Sequence, residues 1–172
     1  MKKALLFFSL FFAGCSVDIP EGIQAVEGIE LERYLGTWYE IARLDHSFER
    51  GLSNVTATYA RRDDGGIKVL NRGFKDAKGE WSEAEGKAFF VAEPTLGRLK
   101  VSFFGPFYGG YNIIKLDKEN YHYVLICGDT KDYLWILART KTIPEDIKNE
   151  LLSFAKDKGF ATEKLIFVKH DK

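Results

Sequence analysis

The sequence reads as an all-β chain: an eight-stranded antiparallel up-and-down barrel with one C-terminal α-helix packed outside and a short final strand. Three observations predict this. Aromatic residues are abundant (14 Phe, 8 Tyr, 3 Trp among 172) and fall in strand-like runs rather than on helical stripes. Eight such runs follow one another with mostly short connections rich in Gly, Pro, Asp and Asn, as chain reversals require. Closing such a meander on itself removes both exposed sheet edges.

The runs are 38–45, 53–62, 66–74, 83–93, 98–104, 110–117, 121–127 and 132–140. Turn chemistry separates them at 46–52, Asp63-Asp64-Gly65, Asp76-Ala77-Lys78-Gly79, Pro94-Thr95-Leu96-Gly97, Gly105-Pro106, Asp117-Lys118-Glu119-Asn120 and Gly128-Asp129-Thr130. After the last run, Thr142 and Glu145 frame a capping box around Pro144, and Gly159 stands where a helix C′ residue is expected. Between them Ile147, Leu151, Phe154 and Ala155 form one apolar stripe, for which the outer barrel wall is the available partner. Lys164 to Lys169 supplies a further strand on the outside.

In an eight-stranded meander the first strand begins and the last ends at the same end of the barrel. Trp38 opens the first strand and Arg139 closes the last, so closure brings an indole and a guanidinium together. Leu31 to Leu35 crosses beneath them, and Gly36 gives the backbone room to turn into the strand. By the same parity, loops 46–52, 75–79, 105–109 and 128–131 lie at the opposite end, which predicts a cup with a mouth.

The first 15 residues, MKKALLFFSLFFAGC, stand apart. Lys2 and Lys3 precede an apolar stretch, Ala4 to Phe12, too short to cross a bilayer as a helix, and Ala13 and Gly14 precede Cys15. The pattern resembles the lipobox of bacterial lipoproteins, which implies cleavage before Cys15 and acylation of that cysteine. Ser16 in place of aspartate implies the outer membrane as the address. The expected organisation is therefore residues 1–14 a lipoprotein signal peptide, 15–30 an acylated N-terminus and tether, and 31–172 the barrel domain. As a free coil the tether would reach roughly 20 Å.

Lysine plus arginine equal aspartate plus glutamate at 25 each, and loss of Lys2 and Lys3 leaves a slight acidic excess, so no field favours nucleic acid. With Cys15 acylated, Cys127 is the single remaining thiol and no internal disulfide can form.

Gly36-Thr37-Trp38-Tyr39 and the arginine after Trp135-Ile136-Leu137-Ala138 resemble the two ends of the lipocalin signature. The middle Thr-Asp-Tyr turn is represented by Glu119-Asn120-Tyr121. YLGTWYEIAR, FERG (48–51), SNVTATY, DDGG, KVSFFGPFYGGYN and DYLWILART, together with the lipobox, are similar to bacterial outer-membrane lipoprotein lipocalins of the apolipoprotein D-type branch. That resemblance implies a barrel that holds fatty acids or lysophospholipid-like lipids, tethered to the outer membrane and serving envelope maintenance, with no cofactor.

Strand alternation, with lone lysines and arginines pointing out, sends these residues inward: Val55, Ala57, Tyr59; Ile67, Val69, Asn71; Ala88, Phe90; Leu99, Val101, Phe103; Tyr111, Ile113; Val124, Ile126; and Tyr133, Trp135, Leu137. An apolar, aromatic lining with a few polar tips suits an acyl chain with its head near the rim. Such side chains also fill small eight-stranded barrels solid, so a plugged structural lipoprotein stands as an alternative, against which the small Ala57, Ala88 and Gly110 argue. Phe107 and Tyr108 on a glycine-flanked loop suit either a lipid portal, a bilayer contact or loop packing. Arg43, Arg50 and Arg72 are candidates to meet an anionic head, and Glu40, inward like Trp38, is expected to pair with Arg139 or a tyrosine hydroxyl.

No catalytic constellation stands out. His46, His122 and His170 lack metal-ligand spacing, and Trp81 replaces the first glycine that a phosphate loop ending at Gly86-Lys87 would need. A lipid-modifying enzyme on the same fold would need Cys127, which parity places outside the barrel under the helix stripe. Whether two cups pair as a homodimer is open.

Overall fold

A computed structural model describes residues 17–172. The expected signal peptide and Cys15 lie outside the described residues. A single turn of helix, α1 (Leu31–Tyr34), precedes eight strands: β1 (Gly36–Arg43), β2 (Leu52–Arg61), β3 (Ile67–Lys75), β4 (Glu80–Phe90), β5 (Arg98–Phe104), β6 (Phe107–Leu116), β7 (Tyr123–Cys127) and β8 (Leu134–Ala138). Then come α2 (Glu145–Asp157), a 3₁₀ turn at Thr162–Lys164 and a two-residue strand, β9 (Ile166–Phe167). Each strand pairs antiparallel with the next, and β1 pairs with both β2 and β8, so the sheet closes into a barrel. β9 adds to the outside of β1, opposite Ala42 and Arg43.

The closing seam is where the sequence places it. The Arg139 guanidinium lies 3.9 Å from the centroid of the fully buried Trp38 indole. It donates to the carbonyls of Arg33 (2.7 Å), Tyr34 (3.2 Å), Leu35 (2.9 Å) and Thr37 (3.0 Å). The first three are carbonyls left over at the end of α1, so one side chain caps that helix and seals the barrel floor. The indole Nε1 donates to the Tyr34 carbonyl at 2.8 Å. Gly36 takes φ +94°, which a side chain would resist, and a Cβ there would sit 3.4 Å from Arg139 Nη1.

Two apolar layers result. Inside the barrel, Trp38, Tyr59, Val69, Leu99, Ile113, Val124 and Leu137 pack together with Ile29 and Tyr34 from the N-terminal segment. Outside, Leu151 and Ala155 of α2 pack on Ala42, Leu125, Cys127, Leu134 and Ile136. Helix α2 ends as expected: Gly159 is left-handed (φ +84°), Phe160 N–H bonds to Ala155 O at 3.1 Å, and Phe160 is buried.

Three expectations are corrected. The Thr142 capping box does not form, because α2 starts only after Pro144, which is extended (ψ 146°) and disfavours helix in the residue before it. β4 and β6 begin three residues earlier than expected, at Glu80 and Phe107, so the β5–β6 connection shrinks to Gly105-Pro106 and the hairpins reach farther towards the mouth. The third concerns the tether, which over residues 17–30 is not free but lies along the barrel. Ile23 and Ile29 are buried, Val26 N–H bonds to Ile113 O at 2.8 Å, Gly97 N–H to Val26 O at 2.7 Å, and Asn112 Nδ2 to Asp18 O at 3.1 Å. Gly110, which lines the cavity, also serves this docking: a Cβ on it would meet Asp129 Oδ1 at 2.5 Å and Asp18 O at 3.0 Å.

Truncating Trp38 removes the largest buried side chain at the seam. Trp38→Ala is expected to lower stability by about 3–5 kcal/mol, measured by chemical denaturation. A loss within the range of an exposed substitution would contradict the seam's role.

Candidate functional site

Between the seam and the mouth the barrel is hollow at three levels of differing size. At the floor, space of about 20 Å³ lies among Ile29, Tyr34, Tyr59, Ile67, Leu99 and Ile113. A waist of about 90 Å³ is bounded by Glu40, Glu49, Ala57, Asn71, Ile126 and Leu137. Above it a chamber of about 630 Å³ is walled by Leu52, Val55, Val101, Phe103, Tyr133 and Trp135 and opens among Phe48, Phe104, Phe107 and Tyr108. That volume lies within the range of about 300–1,000 Å³ typical of small-molecule sites. The plugged-barrel alternative does not describe this interior. All twelve residues singled out as ligand contacts from the sequence border one of these levels: Val55, Ala57, Tyr59, Val69, Asn71, Phe90, Val101, Phe103, Tyr111, Ile113, Tyr133 and Trp135.

The floor has polar tips that satisfy one another. Tyr111 OH lies 2.6 Å from Tyr34 OH and 2.8 Å from Tyr59 OH, a chain of three buried hydroxyls. Burial, chiefly, raises all three phenols well above their ordinary value. Tyr34 was not expected among them, since it comes from the crossing segment and no strand alternation points to it.

The waist holds an ionic cluster that alternation misplaces. The pairing of β1 with β8 slips at Ile41, a bulge between Glu40 and Ala42. Beyond the bulge parity inverts, so Glu40 and Arg43 both face in while Ile41 and Ala42 face the outer layer. Arg43 Nη1 donates to Glu40 Oε1 at 2.6 Å, and Nη2 to the carbonyls of Glu49 (2.8 Å) and Leu52 (3.2 Å). Glu49 Oε2 accepts from Trp135 Nε1 at 2.9 Å and lies 2.7 Å from His46 Nε2. The buried His46 ring lies against Phe48, tilted by 33° with centroids 3.9 Å apart. This network pins the β1–β2 loop across one side of the mouth.

Several expectations change with it. Arg43 is consumed within the wall and offers nothing to an anionic head. The partner of Glu40 is Arg43, not Arg139 or a tyrosine. Arg50 chelates Asp45 on the surface, and Arg72 stacks on Trp81 at 3.6 Å and pairs with Glu83 at 3.2 Å. Phe107 is exposed, so loop packing does not account for it.

The two carboxyls of this network diverge in their affinity for protons. Burial and the neighbouring Glu49 charge raise Glu40 well above the ordinary carboxylate range, against the pull of Arg43. Burial works the same way on Glu49, but the hydrogen bonds from His46 and Trp135 and the charges of His46 and Arg43 outweigh it and hold Glu49 low. Cys127 takes no part: it is buried under α2, and burial, with some help from Asp129, pushes its thiol up to about 12. A thiol so held is a small hydrophobe rather than a nucleophile. Among the described residues no cluster of His, Cys, Asp and Glu could hold a metal ion.

Comparison with known proteins agrees with this architecture. A model of the lipocalin-like domain matches residues 29–170. The chain belongs to the lipocalin family. It is 54% identical over 164 residues to the protein named outer membrane lipoprotein Blc of Vibrio cholerae, covering 95% of each chain. It is 56% identical over 159 residues to the Blc lipoprotein of Escherichia coli K12, covering 92% of this lipocalin and 89% of that one. Among solved structures, insecticyanin from the tobacco hornworm Manduca sexta superposes with a TM-score of 0.71 over 90% of this chain and 87% of its own, at 18% identity, a likeness of fold alone.

Because Glu40 binds its proton more tightly folded than unfolded, its contribution to stability is complete below the unfolded carboxylate range. It is lost as pH rises through its folded value, at about 1.4 kcal/mol per pH unit crossed. Glu40→Gln is therefore expected to gain on the parent protein as pH is raised from 4 to 8, read from denaturation midpoints. A stability difference that stays constant with pH would contradict the raised affinity.

Proposed function

We propose that this lipocalin is an outer-membrane-anchored lipoprotein that binds a single-chain lipid, a fatty acid or lysophospholipid, in its upper chamber, serving envelope lipid storage, transport or maintenance. The observation that carries the reading is the chamber itself: about 630 Å³, walled by aliphatic and aromatic side chains and open at one end. Of the twelve lining residues, Val55, Asn71, Val101, Phe103, Tyr133 and Trp135 wall this chamber and are its direct ligand contacts, with the acyl chain directed down past Trp135 and Val101 and the head at the mouth, while Ala57, Tyr59, Val69, Phe90, Tyr111 and Ile113 close the space beneath the tail. Support for the anchor comes from the lipobox ending at Cys15 and from the names of the Vibrio and Escherichia relatives. No described helix is long and apolar enough to cross a membrane, so the acylated cysteine would carry the attachment.

The polar groups around the chamber favour a zwitterionic or hydroxyl-bearing head over a bare carboxylate. Glu49, Glu83 and Asp129 border it against the single cation Arg72, which Glu83 already pairs. Asn71 Oδ1 is buried without a partner in the protein and faces the chamber, an acceptor suited to a hydroxyl or ammonium donor. An enzyme on this fold has nothing comparable in its support, since the thiol of Cys127 lies outside the cavity.

Mass spectrometry of lipid extracted from gently purified protein is expected to find single-chain lipid, with lysophospholipid ahead of free fatty acid. Trp135→Ala is expected to reduce retained lipid severalfold while the unfolding midpoint moves far less than in Trp38→Ala. Protein that yields no lipid would favour a purely structural role.

A further inference from the structure

Polar groups with unused hydrogen-bonding capacity collect at one depth of the cavity. Ile29, Ile67, Leu99 and Ile113 line the floor, and Leu52, Val55, Val101 and Phe103 the chamber. The waist between them is bordered by Glu40, Glu49, Tyr59, Asn71 and Tyr111. Glu40 and Glu49 are taken up by Arg43, His46 and Trp135. The groups contributed by β2, β3 and β6 are not. Tyr34, Tyr59 and Tyr111 bring three hydroxyl protons to two contacts, of 2.6 Å and 2.8 Å, so one proton finds no acceptor among the three oxygens. Tyr59 and Tyr111 border floor and waist alike, so rotation of their hydroxyls can deliver that proton to the waist. Asn71 Oδ1, at the same depth, has no partner among the described residues. The sheet register explains why: Asn71 stands between Ala57 on β2 and Ala84 on β4, and neither methyl group can hydrogen-bond to it.

A plain hydrocarbon laid against these groups would bury a donor and an acceptor unpaired, which is unfavourable for each. A hydroxyl on the ligand removes both penalties, since it accepts the spare tyrosine proton and donates to the Asn71 amide oxygen. A ketone would leave the amide oxygen unpaired. A carboxylate would face Glu40 and Glu49, with Arg43 already committed to Glu40 and to two loop carbonyls. Volume fixes where on the ligand that hydroxyl sits. The waist, at about 90 Å³, and the floor, at about 20 Å³, hold only the tip of a chain whose body fills the chamber of about 630 Å³. Val101 and Trp135 border chamber and waist alike, so a tail passing them arrives at Asn71.

We propose that the waist is a second, polar subsite that recognises a hydroxyl near the far end of the ligand's acyl chain, through the Asn71 amide and the Tyr59 and Tyr111 hydroxyls. The ligand class is then a hydroxylated single-chain lipid. The proposal rests on the lipid-binding reading and narrows its substrate. Asn71 also borders the chamber, so the glycerol hydroxyl of a lysophospholipid offers it the same chemistry from the head side. Holding the head constant and moving the hydroxyl along the chain separates the two sources.

The test follows displacement of a fluorescent fatty acid from the full-length protein by octadecanoic acid and by two isomers of its hydroxylated form, one bearing the hydroxyl beside the carboxyl and one near the far end. In a cavity without polar partners a hydroxyl weakens binding, because it must leave water. Here the far-end isomer is expected to bind about three- to tenfold more tightly than the plain acid, and the isomer hydroxylated beside the carboxyl no more tightly than the plain acid. In Asn71→Leu the order is expected to reverse, the plain acid gaining and the far-end isomer losing. Asn71→Ala, which matches the alanines on either side, is a second variant expected to lose the preference, and unfolding midpoints show whether each variant is folded. The ranking of the acids by the unaltered protein needs no variant. Plain acid binding at least as tightly as the far-end isomer, or a preference that survives both substitutions, would overturn the proposal. A preference for the isomer hydroxylated beside the carboxyl would put the recognising group at the head and also overturn it. Failure to bind the probe or any of the acids would sink the lipid-binding reading and this subsite together, a result distinct from binding without preference.

Discussion

One contact organises this molecule: the Arg139 guanidinium lying on the Trp38 indole at the junction of the first and last strands. A meander has two free edges until its ends meet, and here the ends meet with a cation held flat against an aromatic face. The same guanidinium donates to carbonyls of Arg33, Tyr34 and Leu35, so it also fixes the segment that floors the barrel. Without that floor, Tyr34 would not complete the hydroxyl chain with Tyr111 and Tyr59. Closure, floor and the polarity of the interior thus follow from one pair of side chains.

With one end sealed, the interior grades from a narrow tyrosine floor through a charged waist to a wide aromatic chamber. The gradient is what an amphiphile needs from a host: apolar depth for a tail and polar, solvated ground for a head. The ionic part of the waist is built to hold a loop rather than a ligand. Glu40, Arg43, Glu49 and His46 spend their charges on one another and on loop carbonyls, leaving Trp135 braced by Glu49 as a fixed wall of the chamber. Outside, α2 covers the wall through Leu151 and Ala155 and shuts Cys127 away from reagents and substrates alike.

Much of this was legible because strand alternation is a rigid rule. Ala57 and Tyr59, or Leu99 and Val101, can be assigned inward from sequence because the ladder there is regular. The rule fails where regularity does. At Ile41 one extra residue inverts the parity of β1, and nothing in Glu-Ile-Ala-Arg announces a bulge, so Arg43 looked free when it is buried. Residues 17–30 read as a tether because Pro20, Gly22 and Gly28 interrupt them and large apolar residues are few; the regularly spaced Ile19, Ile23, Val26 and Ile29 were the missed signal. The twin glycines before Tyr111 were a second clue, since a close approach of backbone is a standing reason for glycine in a strand. Thr-x-Pro-Glu matched a capping box in composition while Pro144 shifted the helix start past it.

The measurement that bears most directly on the seam is a double-mutant cycle between Trp38→Leu and Arg139→Met, which keeps apolar volume on both sides. A guanidinium stacked on a desolvated indole is expected to give a coupling energy of about 1–2 kcal/mol. Effects that add within about 0.5 kcal/mol would mean that the two side chains stabilise the barrel independently, and that the seam is not the interaction on which the cup depends.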